Sequence, residues 1–510
     1  MVEAADTPVE VSKPRVEADG PRHRVHPSAD QIGKRLLRHL HASFYDAAEP
    51  DLDPKHWGRA LSLSANAAMD KQAREQLRSR ARYEIANNSL ANGMVQRKVD
   101  DTIGTGPRLN ITTGSMKLDR EIEAIWREWA DAVDFAEKCR IIYRAGPESG
   151  EIFSAFITNP ELAGLPVMLD LSLIECDRVT SDYGGEEDNE VDGVFFDENN
   201  IPTEYRVLKY HPGDHSRKYN DPTDSKLIRA ENMLHWFRPI RPEQMRGIPW
   251  ISPALPLFGL QRRFTLASVR AAETAASFAG VLQTDAPSGE EDDVEPFDVI
   301  ELEHNLLTTL PFGWKLGQID SKQPIVQFAE FKKAITMEIC NCLQMPYNIA
   351  AADSSEHNYA SARADHQGYF KAIQVERSRF ESRILRRVVR EFLRELVRST
   401  NIRSARLRNG KYRINFFWDA FPHVDPLKEE KARTERFNNG STSEQEEAAK
   451  DGVDWLERLD YQKQANEERR KRGLPERTYG AEPVADPETD LDEKAKEAAD
   501  EAVSESRRKK

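Results

Sequence analysis

The sequence predicts an α+β chain in which long helices frame a small strand-rich insert. Three observations point there. Apolar residues recur at helical spacing over long stretches, as at Ile122, Ile125, Trp126 and Trp129. β-branched and aromatic runs cluster in the stretch 165–237. Two helical patterns, 251–280 and 325–343, enclose a segment of different character.

Length and composition set the outer bounds. A chain of 510 residues has room for about two to four domains of roughly 100–200 residues each. Hydrophobic residues at 39% supply a sizeable core, while charged residues at 31% demand a strongly solvated surface or solvated ends. A net charge of -14 argues against the whole protein coating nucleic acid, although it leaves room for local basic stripes. Of the four cysteines, only Cys340 and Cys342 are close. Their spacing on a helix points them to different faces, so neither a disulfide framework nor a zinc site is expected. Buried free thiols in a reducing compartment are the expectation. Residues 1–30 lack the apolar segment of a secretory signal, and no run of about 18 apolar residues offers a membrane span. The expected location is the cytoplasm, or a particle assembled there.

Taken in order, residues 1–30 and 481–510 are polar, Pro-containing or acidic, and read as disordered tails. Residues 31–251 mix helix and strand. "DKQAREQLRSRARYEIANNSLANGMVQRKVDDTIG" reads as one helix, an Asn/Gly break and a shorter second helix. "MKLDREIEAIWREWADAV" is a third. "LPVMLDLSLIECDRV", "GVFFDENNIPTEYRVLKY" and "NMLHWFRP" read as strands, with Asp-Glu-Asn-Asn as a hairpin turn. The alanine-rich segment 251–280 is a long helix closed by Gly280. "VLQTD" and "TTLPFGWKLGQID" are short strands around the acidic run "SGEEDDVEP". Ile325, Phe328, Phe331, Ile335, Ile339 and Cys342 then form a helical stripe, with Pro324 at its start. After a polar loop comes an amphipathic helix at about 360–400, with Phe380, Ile384, Val388, Phe392 and Leu396 on one face and arginines away from it. The strand "YRINFFWDAF" follows, and then a charged helical segment over 425–475 broken at Asn438, Asn439 and Gly440.

The chemistry is defined largely by what is missing. No phosphate-cradling G-x-x-x-x-G-K-[ST] occurs, nor G-x-G-x-x-G after a strand, H-E-x-x-H or G-x-S-x-G. One stretch does resemble catalytic parts. "MPYNIAAADSSEHNYASARADHQGYF" holds Asp353, Ser354, Ser355, Glu356, His357, Asp365 and His366, which allows a hydrolase or nuclease built on the Asp353–His366 cluster. Catalytic partners usually converge from distant segments, however, and neighbours on one loop rarely hold a fixed nucleophile–base geometry. The same objection meets a metal site. A polar, exposed loop between two helices is the simpler reading, with Tyr359 anchoring its end. The arginines at 383, 387, 390, 394 and 398 allow phosphate contacts and, as a third reading, sequence-specific DNA binding. The plainer expectation pairs them with Glu376, Glu381, Glu391 and Glu395. The acidic run Glu290, Glu291, Asp292, Asp293 and Glu295 is an exposed loop in its simplest reading.

Six segments, in order, carry a resemblance. They are "SRARYEIANNSLANGMVQRKVDDTIGTGPRLN", "IEAIWREWADAVDFAEKCR", "NMLHWFRPIRPEQMRGIPWISPAL", "LPFGWKLGQIDSKQPIVQFAEFKKAI", "CLQMPYNIAAADSSEHNYASARADHQ" and "FPHVDPLKEEKARTERFNNGSTSEQEEAAKDGVDW". Over residues 57 to 480 the chain resembles phage portal proteins of the lambda family, rings through which tailed-phage DNA enters and leaves the capsid. The resemblance implies a portal fold, a homo-dodecamer located at the portal vertex of a virion and assembled in the host cytoplasm. It implies a wing over 31–251 and 361–424, stem helices at 252–280 and 325–345, and an α/β clip at 281–324. A tunnel loop at 346–360 and a helical crown at 425–480 complete the plan.

Double-stranded DNA would pass Asp353, Ser354, Ser355, Glu356, His357, Asn358 and Tyr359 without sequence preference. The clip, through Glu290, Glu291, Asp292, Asp293 and Glu295, would dock the terminase large subunit and later the head-completion or adaptor proteins. Major capsid and scaffold proteins are the other implied partners. No enzyme activity, cofactor, metal or membrane is expected. Relatives tend to carry glycine near positions 352, 356 and 362, where this chain has Ala352, Glu356 and Ala362, and a glycine-poor loop samples fewer conformations.

Overall fold

The computed structural model describes residues 56, 58, 60–181, 189–214, 225–277, 281–284, 314–317, 328–356, 358–400, 405–421 and 426–477. The chain divides into two units, Met1–Ser64 and Ala65–Lys510. Only the last few residues of the first are described.

Helices α1 (Lys71–Asn87) and α2 (Ser89–Ile103) meet at Asn88, whose N–H donates to the Glu84 carbonyl at 2.8 Å and whose side chain accepts from Leu90 N at 3.1 Å. One residue thus ends a helix and caps the next, so the expected break is Asn88 alone, and Gly93 lies inside α2. Strand β1 (Arg108–Thr112) leads to α3 (Met116–Ala132) and α4 (Phe135–Ser149). The α3 stripe is buried at Ile122, Trp126 and Trp129, with Ile125 packed against the same core. Trp126 and Trp129 meet Phe135 and Phe392 at ring-centroid distances of 5.0 to 5.4 Å.

Strands β2 (Glu151–Thr158), β3 (Leu169–Glu175) and β8 (Met233–Phe237) form an antiparallel sheet with β2 in the centre. Alternate side chains point to opposite faces, and β2 serves a separate core on each. Ile152 joins the main core with the helices, while Phe153 and Ala155 join a second core. That second core is closed by strands β4 (Glu190–Val191), β5 (Val194–Phe196), β6 (Pro202–Leu208) and β7 (Ser225–Arg229), paired in that order. The β5–β6 hairpin turns where expected: Asp197 Oδ1 accepts from Asn199 N at 2.9 Å and Ile201 N at 2.8 Å.

Helix α5 (Leu255–Ser277) pairs with α6 (Phe328–Asn341). Phe264 stacks on Phe328 at 5.5 Å, and Gln261 Nε2 donates to Thr336 Oγ1 at 2.8 Å. Between these helices lie β9 (Val281–Thr284) and β10 (Trp314–Gly317), an antiparallel pair. Residues 290–295 and 325, and Gly280, lie outside the described residues. The apolar stripe expected on α6 divides: Ile339 is buried, whereas Phe331 is 47% exposed.

After the short helix α7 (Tyr347–Ala351), α8 (Tyr359–Phe380) continues through a wide π-type turn at Glu381–Leu385 into α9 (Arg386–Ser399). The stripe Phe380, Ile384, Val388, Phe392, Leu396 steps by four, more than the 3.6 residues of an α-turn. The π-turn adds one residue per turn and absorbs part of that drift, so all five side chains reach the core with no exposure. Strand β11 (Arg413–Phe417) pairs antiparallel with β1. Helices α10 (Pro426–Asn438), α11 (Glu444–Lys450) and α12 (Trp455–Lys471) follow, with the first break at Asn438–Gly440, where Gly440 takes φ +72°.

The interior also holds a cluster of charge. Arg74 and Arg78 lie on the buried face of α1 beside Ala81 and Ile85. Arg78 and Arg82 hold Asp177 at 2.9 and 2.7 Å. Arg246 meets Glu151 at 2.8 Å and Asp192 at 3.1 Å. Glu151 also accepts from Gly247 N at 2.8 Å and lies 3.0 Å from His235 Nε2. Burial alone would raise the Glu151 carboxyl, but Arg246 and His235 hold it well below the usual carboxylate range. This contact needs two backbones unusually close. Gly150 has φ +90°, and a Cβ there would lie 2.3 Å from the Ile248 carbonyl carbon; a Cβ on Gly247 would lie 2.3 Å from the Gly150 oxygen. Only glycine fits either position.

Candidate functional site: a polar loop hung from one helix

The candidate site is the loop between α7 and α8, and α2 carries both of its flanks. On one side, Arg97 Nη1 donates to the Ile349 carbonyl at 2.8 Å and also to that of Ala350. On the other, Tyr369 donates to Asp101 Oδ2 at 2.8 Å, while Arg377 donates to the Asp101 and Thr102 carbonyls at 3.0 and 2.9 Å. Arg377 is also sandwiched against Trp418 and Phe421, with its guanidinium 5.2 and 4.8 Å from the two ring centroids. Lys98, on the same stretch of α2, is 1% exposed and sits 4.9 Å over the Tyr369 ring. Burial pushes its ammonium down to about 8.

The polar residues between these flanks mostly organise their own backbone. The expected loop over 346–360 shortens to 352–358, because Tyr347–Ala351 forms a helical turn closed by Ala352 in the left-handed conformation, and α8 starts at Tyr359. Asp353 Oδ1 accepts from Ser355 N at 3.0 Å and from Ser355 Oγ at 2.6 Å, a side-chain-closed turn. Asn358 caps α8 reciprocally with Ser361: Ser361 N donates to Asn358 Oδ1 at 2.9 Å, and Asn358 N to Ser361 Oγ at 3.1 Å. Glu356 is exposed and paired with Lys333 of α6. Ser354 is exposed. His357 lies outside the described residues, as do Glu290, Glu291, Asp292, Asp293 and Glu295. Of the sequence-predicted residues, the structure therefore joins Asp353 to Ser355, and ties Glu356 and Asn358 to residues outside the expected set.

A hydrolase would need a base on a serine. His366 Nε2 instead faces the Asn348 side chain at 3.3 Å, and Ser355 Oγ meets a carboxylate. Among the described residues no histidine approaches either serine. A cavity of about 580 Å3 lies elsewhere, where β1 and α3 face α12. Its rim is tied by Arg120–Asp460 at 3.0 Å and Arg127–Glu457 at 3.7 Å. Burial raises Glu123 in it to about 7, yet the lining holds no histidine, serine or cysteine. Among the described residues, Glu175, Asp177 and His211 have the spacing of a metal set, but Arg78 and Arg82 already neutralise Asp177.

Ala352 carries φ +54°. For an L-residue with a Cβ this conformation costs about 1–2 kcal/mol, while glycine costs about 0.5–1 kcal/mol in unfolded-chain entropy. Ala352→Gly is therefore expected to stabilise the turn by roughly 0.5–1 kcal/mol. Slower amide exchange over 349–356 would show it; faster exchange would mean that the left-handed turn is not a source of strain.

No curated protein matches the chain. Similar solved structures include one from the virion of a native gene transfer agent particle, at 14% identity and TM-score 0.44, covering 74% of this chain and 93% of that one. A second, from the neck of an empty gene transfer agent particle computed with C6 symmetry, has 13% identity and TM-score 0.45, covering 74% and 94%. A third, from the neck of a native particle computed with C12 symmetry, has 12% identity and TM-score 0.45, covering 74% and 93%. The description "Phage portal protein, lambda family" matches residues 55–377, more than half of the chain and a span that includes α1 to α7, the polar loop and most of α8. The chain belongs to the lambda family of phage portal proteins.

Proposed function

We propose that the protein forms the portal vertex of a phage or phage-like capsid, a twelve-subunit ring through which double-stranded DNA is packaged and ejected. Family membership over residues 55–377 carries this reading. In it, α5 and α6 are the stem, β9 and β10 belong to the clip, and α10 to α12 form the crown. The clip docks the terminase large subunit and later the head-completion proteins, and the capsid and scaffold proteins surround the ring in the virion.

Two physical features support it. First, the α5–α6 pair leaves Leu260, Leu266, Val269, Phe331 and Met337 between 43 and 51% exposed. Apolar side chains grouped on exposed helices favour burial against another surface, and a neighbouring subunit supplies one. Second, residues 352–358 contain no lysine or arginine, and the nearby Lys333 is engaged by Glu356. A wall for a sliding polyanion works best without a deep attractive well, since lysines and arginines would bind phosphates through counterion release. The loop offers hydroxyl, amide and carboxylate groups on fixed flanks. Negative-stain images of the purified protein are expected to show closed rings; a monomer at every concentration and salt tested would refute the reading.

No helix among the described residues is long and apolar enough to cross a membrane.

A further inference from the structure

The π-type turn and α9 together carry a feature that the proposed channel does not use. Six arginines, Arg383, Arg386, Arg387, Arg390, Arg394 and Arg398, fall within 16 residues. At about 100° per residue they share one arc of roughly 120°. The sequence suggests neutralisation by Glu376, Glu381, Glu391 and Glu395. The structure turns three of those carboxylates elsewhere. Glu376 is buried and meets Arg238 at 2.7 Å and Arg379 at 3.0 Å. Glu381 accepts from Trp418 Nε1 at 2.7 Å, and Glu395 from Met168 N at 2.7 Å. Only Glu391 forms a direct ion pair with the stripe, through Arg394, while Glu381 feels Arg386 at longer range. Arg387 donates to the Ala230 and Glu231 carbonyls. Arg383, Arg386, Arg390 and Arg398 are exposed and have no ion pair among the described residues.

We infer that this stripe binds the phosphate backbone of double-stranded DNA without sequence preference, at a site separate from the polar loop. Arg383 lies 24 residues beyond Tyr359 along one continuous helix, which at 1.5 Å per residue is about 36 Å. The loop and the stripe are therefore different contacts. From Arg383 to Arg398 the stripe spans about 22 Å, the length over which one DNA strand presents about six phosphates at roughly 3.4 Å each. Guanidinium forks suit phosphate oxygens. A protein partner is the other source of negative charge, but stable protein interfaces bury apolar anchors at their centre. Among the described residues no large apolar side chain is exposed between Val375 and Leu427. A surface of bare charge favours a polyanion, whether or not the chain closes into a ring.

The test uses the full chain and a 30-base-pair duplex of arbitrary sequence, followed by fluorescence anisotropy across a salt series. One variant combines Arg383→Gln, Arg386→Gln, Arg390→Gln and Arg398→Gln. A control variant of equal net charge combines Arg80→Gln, Arg470→Gln, Arg472→Gln and Arg477→Gln. Because each contacted phosphate contributes about 0.9 to the log–log salt slope, the four-arginine stripe variant is expected to lose about 3.6 from that slope and to bind about tenfold more weakly or worse at 0.1 M salt. The control and the four-lysine version of the stripe keep most of both. Equal affinity and slope for stripe variant and wild type would overturn the inference. So would stripe-dependent capture of polyglutamate in place of the duplex, which would assign the surface to an acidic protein. A thermal melt accompanies each variant. Should the quadruple variant melt early, Arg390→Gln with Arg398→Gln is expected to lose about half the slope change; an unchanged slope there is equally contradictory.

Discussion

Packaging is expected to stall when Asp353→Lys and Glu356→Lys are combined, with ring assembly unaffected. Each subunit's loop would change by four charge units, and Lys333 would lose its carboxylate partner. The duplex carries one negative charge per about 1.7 Å of axis, so every register of the sliding DNA meets new cations. Charge-assisted hydrogen bonds contribute about 1.5–3 kcal/mol each. Repeated around the proposed ring of about twelve subunits, even a fraction of that would hold the duplex far more tightly than thermal energy releases it. Nuclease-protected DNA per particle is expected to fall more than tenfold. The neutral pair Asp353→Asn and Glu356→Gln is expected to package near wild-type levels, since an asparagine at position 353 keeps an oxygen for the Ser355 turn. Undiminished packaging by the lysine pair would show the loop's charge to be immaterial.

The largest stability effect is expected at Glu151. Its side chain is fully buried and meets Arg246, His235, Gly247 N and, at 3.4 Å, Arg78. Glu151→Leu leaves the Arg246 guanidinium, itself 1% exposed, without its principal counter-charge. Removing one partner of a buried pair costs about 3–5 kcal/mol. Coupled residues are not additive, so Glu151→Leu with Arg246→Met is expected to lose less than the two single changes together, as read from melting temperatures.

The same cluster sets an acid dependence. Burial opposes ionisation at Glu151, Asp177 and Asp192, but their arginines prevail and hold all three carboxyls below the usual range. A depressed carboxyl stabilises the fold above its unfolded pKa of about 4 and ceases to do so as pH falls through its folded value. Melting temperature is expected to decline below about pH 4, and less steeply in the double variant. An equal decline in both would place the acid sensitivity elsewhere.

Much of this architecture is legible in the sequence because it follows from periodicity. Trp126 and Trp129 announce the buried face of α3, and the run from Phe380 to Leu396 announces that of α8 and α9. What misleads is charge. Arg74, Arg78 and Arg246 look like surface residues, and nothing local marks them as buried, because their partners Glu151, Asp177 and Asp192 arrive from distant strands and turns. The available signal is positional: Arg74 and Arg78 stand in register with Ala81 and Ile85 on α1. The arginine stripe on α9 misleads in the opposite sense, since its glutamates look available until tertiary contacts claim Glu376, Glu381 and Glu395. The loop is intermediate. Its polar character is plain, but the roles of Asp353, Ser355 and Asn358 in turning and capping depend on where α7 stops and α8 begins.

The proposed function requires a ring closed around an axial passage walled by weakly attracting groups. The decisive observation is a cryo-electron microscopy map of the purified assembly, viewed along its symmetry axis. A twelve-fold ring whose narrowest wall is formed by residues 352–358 is expected. An assembly with no axial opening, or an opening walled chiefly by arginine and lysine side chains, would refute this picture.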